Sequence, residues 1–349
     1  MKAFKYIFFL LLIVIIALSI YIAVQPNSFN VTRTRTINAP AAVIYDNVID
    51  YKNWESWSSW AEKNEDLKIM LPENTHGTGS SYSWEDADGV GTMRTIAASP
   101  HTSITQEMEF GEDYPKSNVN WSFTPNEQGG TDVTWSIAGD NLPFMFKAYT
   151  AFSGSMDDQI GPDYERSLEK LDSLVVASMS KYSITTDNEI TMHSGGFYLY
   201  NTTSTKLSDY ASKMQEMLPK VIAYAKNNNI TMAGAPFILY HKWDEENNAV
   251  MFSCAVPTTA KVITTETDIL TGQILPFSAI KTTLKGDYSN LKTAWDSTLK
   301  SISEKGYVAA ENGPMLEYYL NTPMNTPNPA DLVTEIYVAV EKKQDEVVE

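Results

Sequence analysis

The chain has 349 residues and a formal net charge of −17, from 26 Lys and Arg against 43 Asp and Glu. An acidic surface of this kind repels phosphate backbones and anionic headgroups, which excludes nucleic acid as a partner class. The single cysteine, Cys254, rules out an intrachain disulfide, and a chain this long is expected to hold two cores rather than one.

The first predicted element is an apolar helix. Ile7 to Val24 is almost entirely Ile, Leu, Val, Phe and Ala, and with Phe4 and Tyr6 it is long enough to cross a hydrocarbon layer of about 30 Å. Lys2 and Lys5 precede it and no basic residue follows until Arg33. That bias places the N-terminus in the cytoplasm and the remainder outside, in the periplasm if the host is Gram-negative. A cleaved signal peptide is the alternative, but the apolar run is longer than a signal core and its exit, Tyr21-Ile22-Ala23-Val24-Gln25-Pro26, lacks a small-x-small cleavage site.

Val31 to Ile37 then alternates as a strand does, and Asn38-Ala39-Pro40 ends it and opens a helix running through Val48. Short alternating strands follow at Ser80 to Trp84, Thr92 to Ala97, Ser103 to Phe110, Asn118 to Phe123 and Thr131 to Ile137. They are punctuated by Asp86-Ala87-Asp88-Gly89 and Asn126-Glu127-Gln128-Gly129-Gly130. Tyr164, Leu168, Leu171 and Val175 recur at helical spacing, an apolar stripe that needs a broad partner such as the sheet. The order describes an antiparallel sheet gripping one long helix. Six tryptophans in this region, Trp54, Trp57, Trp60, Trp84, Trp121 and Trp135, either line a cavity or, the preferred reading, pack the core.

Beyond a boundary between Ala177 and Thr186 lies an internal repeat. Gly234-Ala235-Pro236-Phe237-Ile238-Leu239-Tyr240 recurs as Asn312-Gly313-Pro314-Met315-Leu316-Glu317-Tyr318. An amphipathic helix precedes each copy, through Leu207, Tyr210, Met214, Met217, Val221 and Tyr224 or through Leu291, Trp295, Leu299 and Ile302. A strand follows each, at Ala249 to Val256 and Leu332 to Val340. Two strand-helix-strand-strand halves make one α+β unit with approximate two-fold symmetry and a groove between the halves.

Ile37-Asn38-Ala39-Pro40-Ala41-Ala42-Val43-Ile44-Tyr45 and Tyr51-Lys52-Asn53-Trp54-Glu55-Ser56-Trp57 resemble the opening of START-like (SRPBCC, polyketide cyclase) domains, which implies a helix-grip fold that holds apolar molecules. Lys281-Thr282-Thr283-Leu284-Lys285-Gly286-Asp287-Tyr288, Pro314-Met315-Leu316-Glu317-Tyr318 and Thr334-Glu335-Ile336-Tyr337-Val338 resemble the second half of the GyrI-like effector-binding domain. In that family a groove acid with aromatic walls recognises cationic or aromatic ligands. The matching positions are Glu317, Tyr318 and Glu335; the chain departs from the family's regulators in lacking a helix-turn-helix.

The fold class expected is therefore α+β: a helix-grip antiparallel sheet domain over 27–180, a pseudo-two-fold duplicated α+β effector-binding domain over 185–343, and a transmembrane anchor over 1–26. Glu317 is the leading ligand-binding candidate, since the repeat puts Leu239 at its counterpart; it is expected to lie partly buried among Tyr318, Tyr319 and Trp295. Glu335 and the aromatics Tyr318, Trp295, Tyr288 and Tyr240 complete the candidate set, and Tyr198 and Tyr337 also qualify as walls. Solvent exposure for the acids and ordinary packing for the aromatics are the alternatives. His76, His101, His193 and His241 are too scattered to imply a metal, and neither a cofactor nor a catalytic residue is indicated. The function expected is membrane-tethered binding or sensing of a small amphipathic or cationic molecule without DNA contact. The alternatives are an enzyme using a groove Glu/Tyr pair, and an envelope scaffold docking a protein partner through its acidic surface and the tail Glu341-Lys342-Lys343-Gln344-Asp345-Glu346.

Overall fold

The computed structural model of the chain describes residues 2–64, 66–87, 89–111 and 116–343. Asp88 of the expected turn and the tail from Gln344 lie outside the described residues. Two compact units result, Met1–Ser178 and Met179–Glu349, each built from helices and an antiparallel sheet.

The first unit begins with helix α1 (Lys2–Ala23), whose stretch Ala3–Ala23 is long and apolar enough to cross a membrane. Strand β1 (Ser28–Ile37) leads into α2 (Ala41–Ile49), two short turns of helix α3 (Trp54–Trp57) and α4 (Ser59–Lys63), and strands β2 (Lys68–Met70), β3 (Ser81–Asp86), β4 (Gly89–Ser99), β5 (Ser103–Phe110), β6 (Ser117–Pro125) and β7 (Thr131–Asp140). Helices α5 (Phe144–Ser153) and α6 (Met156–Met179) close the unit. The sheet runs β1-β7-β6-β5-β4-β3-β2, so the first strand closes against the last. On β6 and β7 the buried residues Val119, Trp121, Phe123, Val133, Trp135 and Ile137 alternate with more exposed ones, as a sheet with one covered face requires.

Helix α6 covers that face. Tyr164, Leu168, Leu171 and Val175 are its buried stripe, and the Tyr164 ring stacks on Trp135 at 3.6 Å between centroids. Beside it Arg33 reaches from β1 to Asp157 and Glu165 of α6 at 2.8 and 2.5 Å. Gly161 makes room for this ion pair, because a Cβ there would fall 2.0 Å from the Arg33 Nη2 atom. The tryptophans fill the interior between helix and sheet. Trp121 lies 4.3 Å from Trp135, Trp54 lies 4.9 Å from Trp57, and both of the latter meet Trp121 and Trp135 edge-on. Their rings bury one another, which is the packing reading; Trp60 stays partly exposed.

The second unit holds β8 (Ser183–Thr186), β9 (Thr191–His193), β10 (Gly196–Lys206), α7 (Tyr210–Asn227), β11 (Phe237–Asp244), β12 (Ala249–Thr258), β13 (Leu270–Ile274), β14 (Phe277–Lys285), α8 (Leu291–Glu304), β15 (Tyr307–Ala309), β16 (Met315–Tyr319) and β17 (Val333–Lys342). Its sheet order, β13-β10-β12-β11-β16-β17-β14-β8, sets the half β10-α7-β11-β12 against the half β14-α8-β16-β17, with β11 and β16 paired at the centre. Both helices lie on one face. Met217 of α7 packs with Ile238, Phe252 and Cys254, and Ala294 and Ile302 of α8 pack with Ile280, Ile336 and Val338.

The register corrects one expectation about the repeat. Ile238, not Leu239, stands directly opposite Glu317, while Leu239 opposes Leu316. Cross-strand partners share a face, so Leu239 points away from the helices and Glu317 toward them. The matched heptads are thus one residue out of step in the sheet, and Leu239, on the opposite face, is not the structural counterpart of Glu317.

Cys254 is fully buried on β12, and burial pushes its thiol up to about 12. A buried neutral thiol is unreactive. The folded chain is expected to leave a thiol-specific chromogenic reagent unconsumed, and to consume one equivalent per chain once denatured; brisk reaction in the folded state would contradict this burial.

Candidate functional site

The central strands carry the chemistry. Glu317 sits on β16 with 1% of its surface exposed, on the helix-facing side dictated by the register. Its carboxylate accepts hydrogen bonds from Trp295 Nε1 of α8 at 2.6 Å, from the Tyr240 hydroxyl of β11 at 3.4 Å, and from the Tyr319 hydroxyl two residues along its own strand. The Tyr240 hydroxyl is also 2.5 Å from that of Tyr210 on α7. Three elements therefore meet on one carboxylate, and α7 joins them through Tyr240.

These neighbours are neutral. No Lys, Arg or His among the described residues forms an ion pair with Glu317, so desolvation raises its pKa, and only the hydrogen bonds from Tyr319, Trp295 and Tyr240 oppose that rise. The same burial, with the nearby carboxylate, raises Tyr240 and Tyr319 well above the ordinary phenol value, which keeps both as donors. Tyr288 packs edge-on against Tyr319 at 5.3 Å, and burial first and Glu317 second push its phenol up to about 12.

Above the carboxylate opens a cleft of about 430 Å³ between α7 and α8. Tyr210, Tyr240, Trp243 and Trp295 form its aromatic walls, Leu291, Leu299 and Met315 its aliphatic surface, and Glu317 its floor. Tyr240 and Trp295 stand perpendicular at 5.3 Å. Glu245, Lys292 and Asp296 ring the mouth, where Lys292 and Asp296 pair with each other at 2.9 Å.

Of the candidates named from sequence, Glu317, Trp295 and Tyr240 line this cleft, and Tyr288 supports it from behind Tyr319. Tyr318 and Glu335 do not. Strand alternation sends Tyr318 to the opposite face of the sheet, which overturns its expected place beside the Glu317 carboxylate. There it packs against Phe237 and Tyr337. It lines a second cleft, of about 420 Å³, with His193, Tyr198, Glu335 and Tyr337. Glu335 is neither free nor at the solvent edge: Lys281 binds it at 2.7 Å and the Tyr337 hydroxyl at 2.9 Å. His193 accepts the Gly195 N–H on Nδ1 at 3.0 Å, and its burial lowers its pKa. The ring is thus neutral with its proton on Nε2, donating to the Tyr318 hydroxyl at 3.1 Å.

Tyr210 and Trp243 were not singled out as site residues from sequence. Tyr210 reads as one more apolar step on the α7 stripe. Tyr319, expected beside the Glu317 carboxylate, does reach it, because residues i and i+2 of a strand share a face.

With this geometry in place, comparison with known proteins adds the following. Residues 28–176 match the family described as polyketide cyclase / dehydrase and lipid transport. Among solved structures, the EcmrR C-terminal domain is similar at 19% identity, with 46% of this chain and 99% of that one covered and a TM-score of 0.41. A protein of Chromobacterium violaceum, CV1439, is similar at 19% identity over 43% of this chain and 98% of its own, with a TM-score of 0.32. Protein Ms6760 of Mycobacterium smegmatis is 18% identical over 42% and 91%, with a TM-score of 0.31. None of the curated proteins matches the chain.

Proposed function

We propose that the protein is a membrane-tethered receptor for a small aromatic cation, bound in the Glu317 cleft of the second unit. One observation carries the proposal: a fully buried carboxylate with hydrogen-bond donors but no countercharge among the described residues, at the floor of a cleft walled by Tyr and Trp rings. Burying an unpaired carboxylate is costly, and a cation entering the cleft offsets that cost while its positive charge also meets the ring faces. A volume of about 430 Å³ suits a molecule of two or three fused rings. The match of residues 28–176 to a family whose description includes lipid transport supports an apolar-molecule site in the first unit, and α1 supplies the tether.

Tyr318 and Glu335 belong on this reading to the second cleft. The Tyr318 hydroxyl accepts the His193 Nε2–H, which leaves its own proton available to a hydrogen-bond acceptor on a different ligand in that cleft.

The test is native mass spectrometry of the full chain released from its own membranes. A retained small cation that leaves on Glu317→Gln substitution supports the proposal, and a retained cation whose binding that substitution leaves unchanged refutes it.

A further inference from the structure

Helix α5 is unusual in the first unit because none of its residues is buried. Its sequence, Phe144-Met145-Phe146-Lys147-Ala148-Tyr149-Thr150-Ala151-Phe152-Ser153, holds one charged residue. Phe144, Met145, Tyr149 and Phe152 stand at i, i+1, i+5 and i+8, one face of a helix. That face is open to the outside, with relative exposures of 47, 75, 53 and 68%. Several large apolar side chains side by side on a short helix mark an interaction surface rather than scattered exposure.

Its position says what covers it. Helix α5 contacts α1, and Ile22, near the end of α1, is the one buried residue between positions 3 and 23. The backbone N–H of Leu142, just before α5, bonds to the Asn27 carbonyl just after α1 at 3.2 Å. Phe146, on the inner side of α5, stacks on Phe29 of β1 at 6.0 Å. The outward face therefore sits beside the level at which the apolar run of α1 ends, where a bilayer passes from hydrocarbon to headgroups. Tyr149 suits that level, with an apolar ring and a hydroxyl bonded to Gln159 at 3.0 Å.

We infer that α5 is a lipid-surface helix: its Phe144, Met145, Tyr149 and Phe152 face enters the interfacial layer beside α1 and holds the first unit against the membrane. The inference rests on α1 being a membrane anchor. Attachment is through apolar burial, not charge, because Lys147 is the helix's only cation and the chain is strongly acidic.

The experiment uses the full chain in phosphatidylcholine vesicles containing a spin-labelled lipid that quenches fluorescence in the membrane. Single fluorophores are placed at Met145→Cys and Phe152→Cys, at Leu12→Cys within α1, and at Gln128→Cys in the β6–β7 turn at the far end of the sheet, with Cys254→Ser as background. The expected result is quenching at positions 145 and 152 severalfold above that at 128. It persists at high salt and is unchanged when anionic lipid is added. Quenching at 12 but not at 145 or 152 overturns the lipid-surface role while leaving the anchor in place. No quenching at 12 overturns the anchor and this inference together. Labels at 145 and 152 shielded from both lipid and aqueous quenchers show that a protein covers the face, and also overturn it.

Discussion

Glu317→Gln is expected to weaken binding of an aromatic cation by about 2–3 kcal/mol, roughly 30- to 150-fold in dissociation constant. The amide keeps the size of the side chain and, with its oxygen accepting from Trp295 and its NH2 donating to the Tyr319 hydroxyl, keeps both neighbours bonded, but it removes the charge the ligand pairs with. Two pH dependences accompany the change, and they have opposite signs. Burial raises the folded-state pKa of Glu317. As pH rises, the unfolded carboxylate loses its proton first, near the ordinary value, while the folded one still holds it. The native state then binds more protons than the unfolded state, so this group's contribution to stability is fully present below the unfolded pKa and is lost as pH climbs through the raised folded pKa. Affinity for a cation moves the other way. It requires the ionised form, so it rises through the same window and levels off above it. Calorimetric titrations at several pH values check both: the wild type should release a proton on binding at the low end of the window, and the Gln variant should show neither slope.

Trp121→Ala is expected to destabilise the first unit by about 3–5 kcal/mol, the range for deleting a large buried ring. Trp121 is 1% exposed, stacks on Trp135 and Phe123 and is met edge-on by Trp54 and Trp57. Its indole N–H also donates to Gln106 Oε1 at 3.0 Å, and Gln106 in turn donates to the Tyr51 hydroxyl at 3.0 Å. Truncation therefore leaves a cavity together with an orphaned buried amide oxygen, which adds to the loss. Urea denaturation followed by circular dichroism is the measurement, with the earlier transition assigned to the first unit by proteolysis. A shift below about 1 kcal/mol would show that the ring stack does not support the fold.

Much of this architecture is legible in the sequence because period and punctuation agree. Thr131 to Ile137 alternates and lies in β7; Tyr164, Leu168, Leu171 and Val175 keep helical spacing and form the buried stripe of α6. Helix α5 escaped because its residues are apolar on nearly every side, leaving no amphipathic contrast to read. Short strands such as β2, β9 and β15 escaped because three residues carry too little pattern. At the site, the residue types were legible and their grouping was not. Glu317, Tyr240 and Trp295 converge because a helix and two strands meet over the centre of the sheet, whereas Tyr318, adjacent in sequence, is turned away by the strand's alternation. An approximate repeat one residue out of step hid this, since in a strand one residue exchanges the faces.

The most direct measurement compares two ring systems of nearly equal shape that differ in charge: N-methylquinolinium, and 4-methylquinoline, which is uncharged at mildly alkaline pH. Both are titrated into the full chain in detergent and followed by the fluorescence of the cleft tryptophans. A buried carboxylate without a countercharge predicts that the cation binds roughly tenfold or more tightly than its neutral relative, and that Glu317→Gln removes the difference. Equal affinities, or tighter binding of the neutral compound, would contradict the assignment of this cleft to a cation.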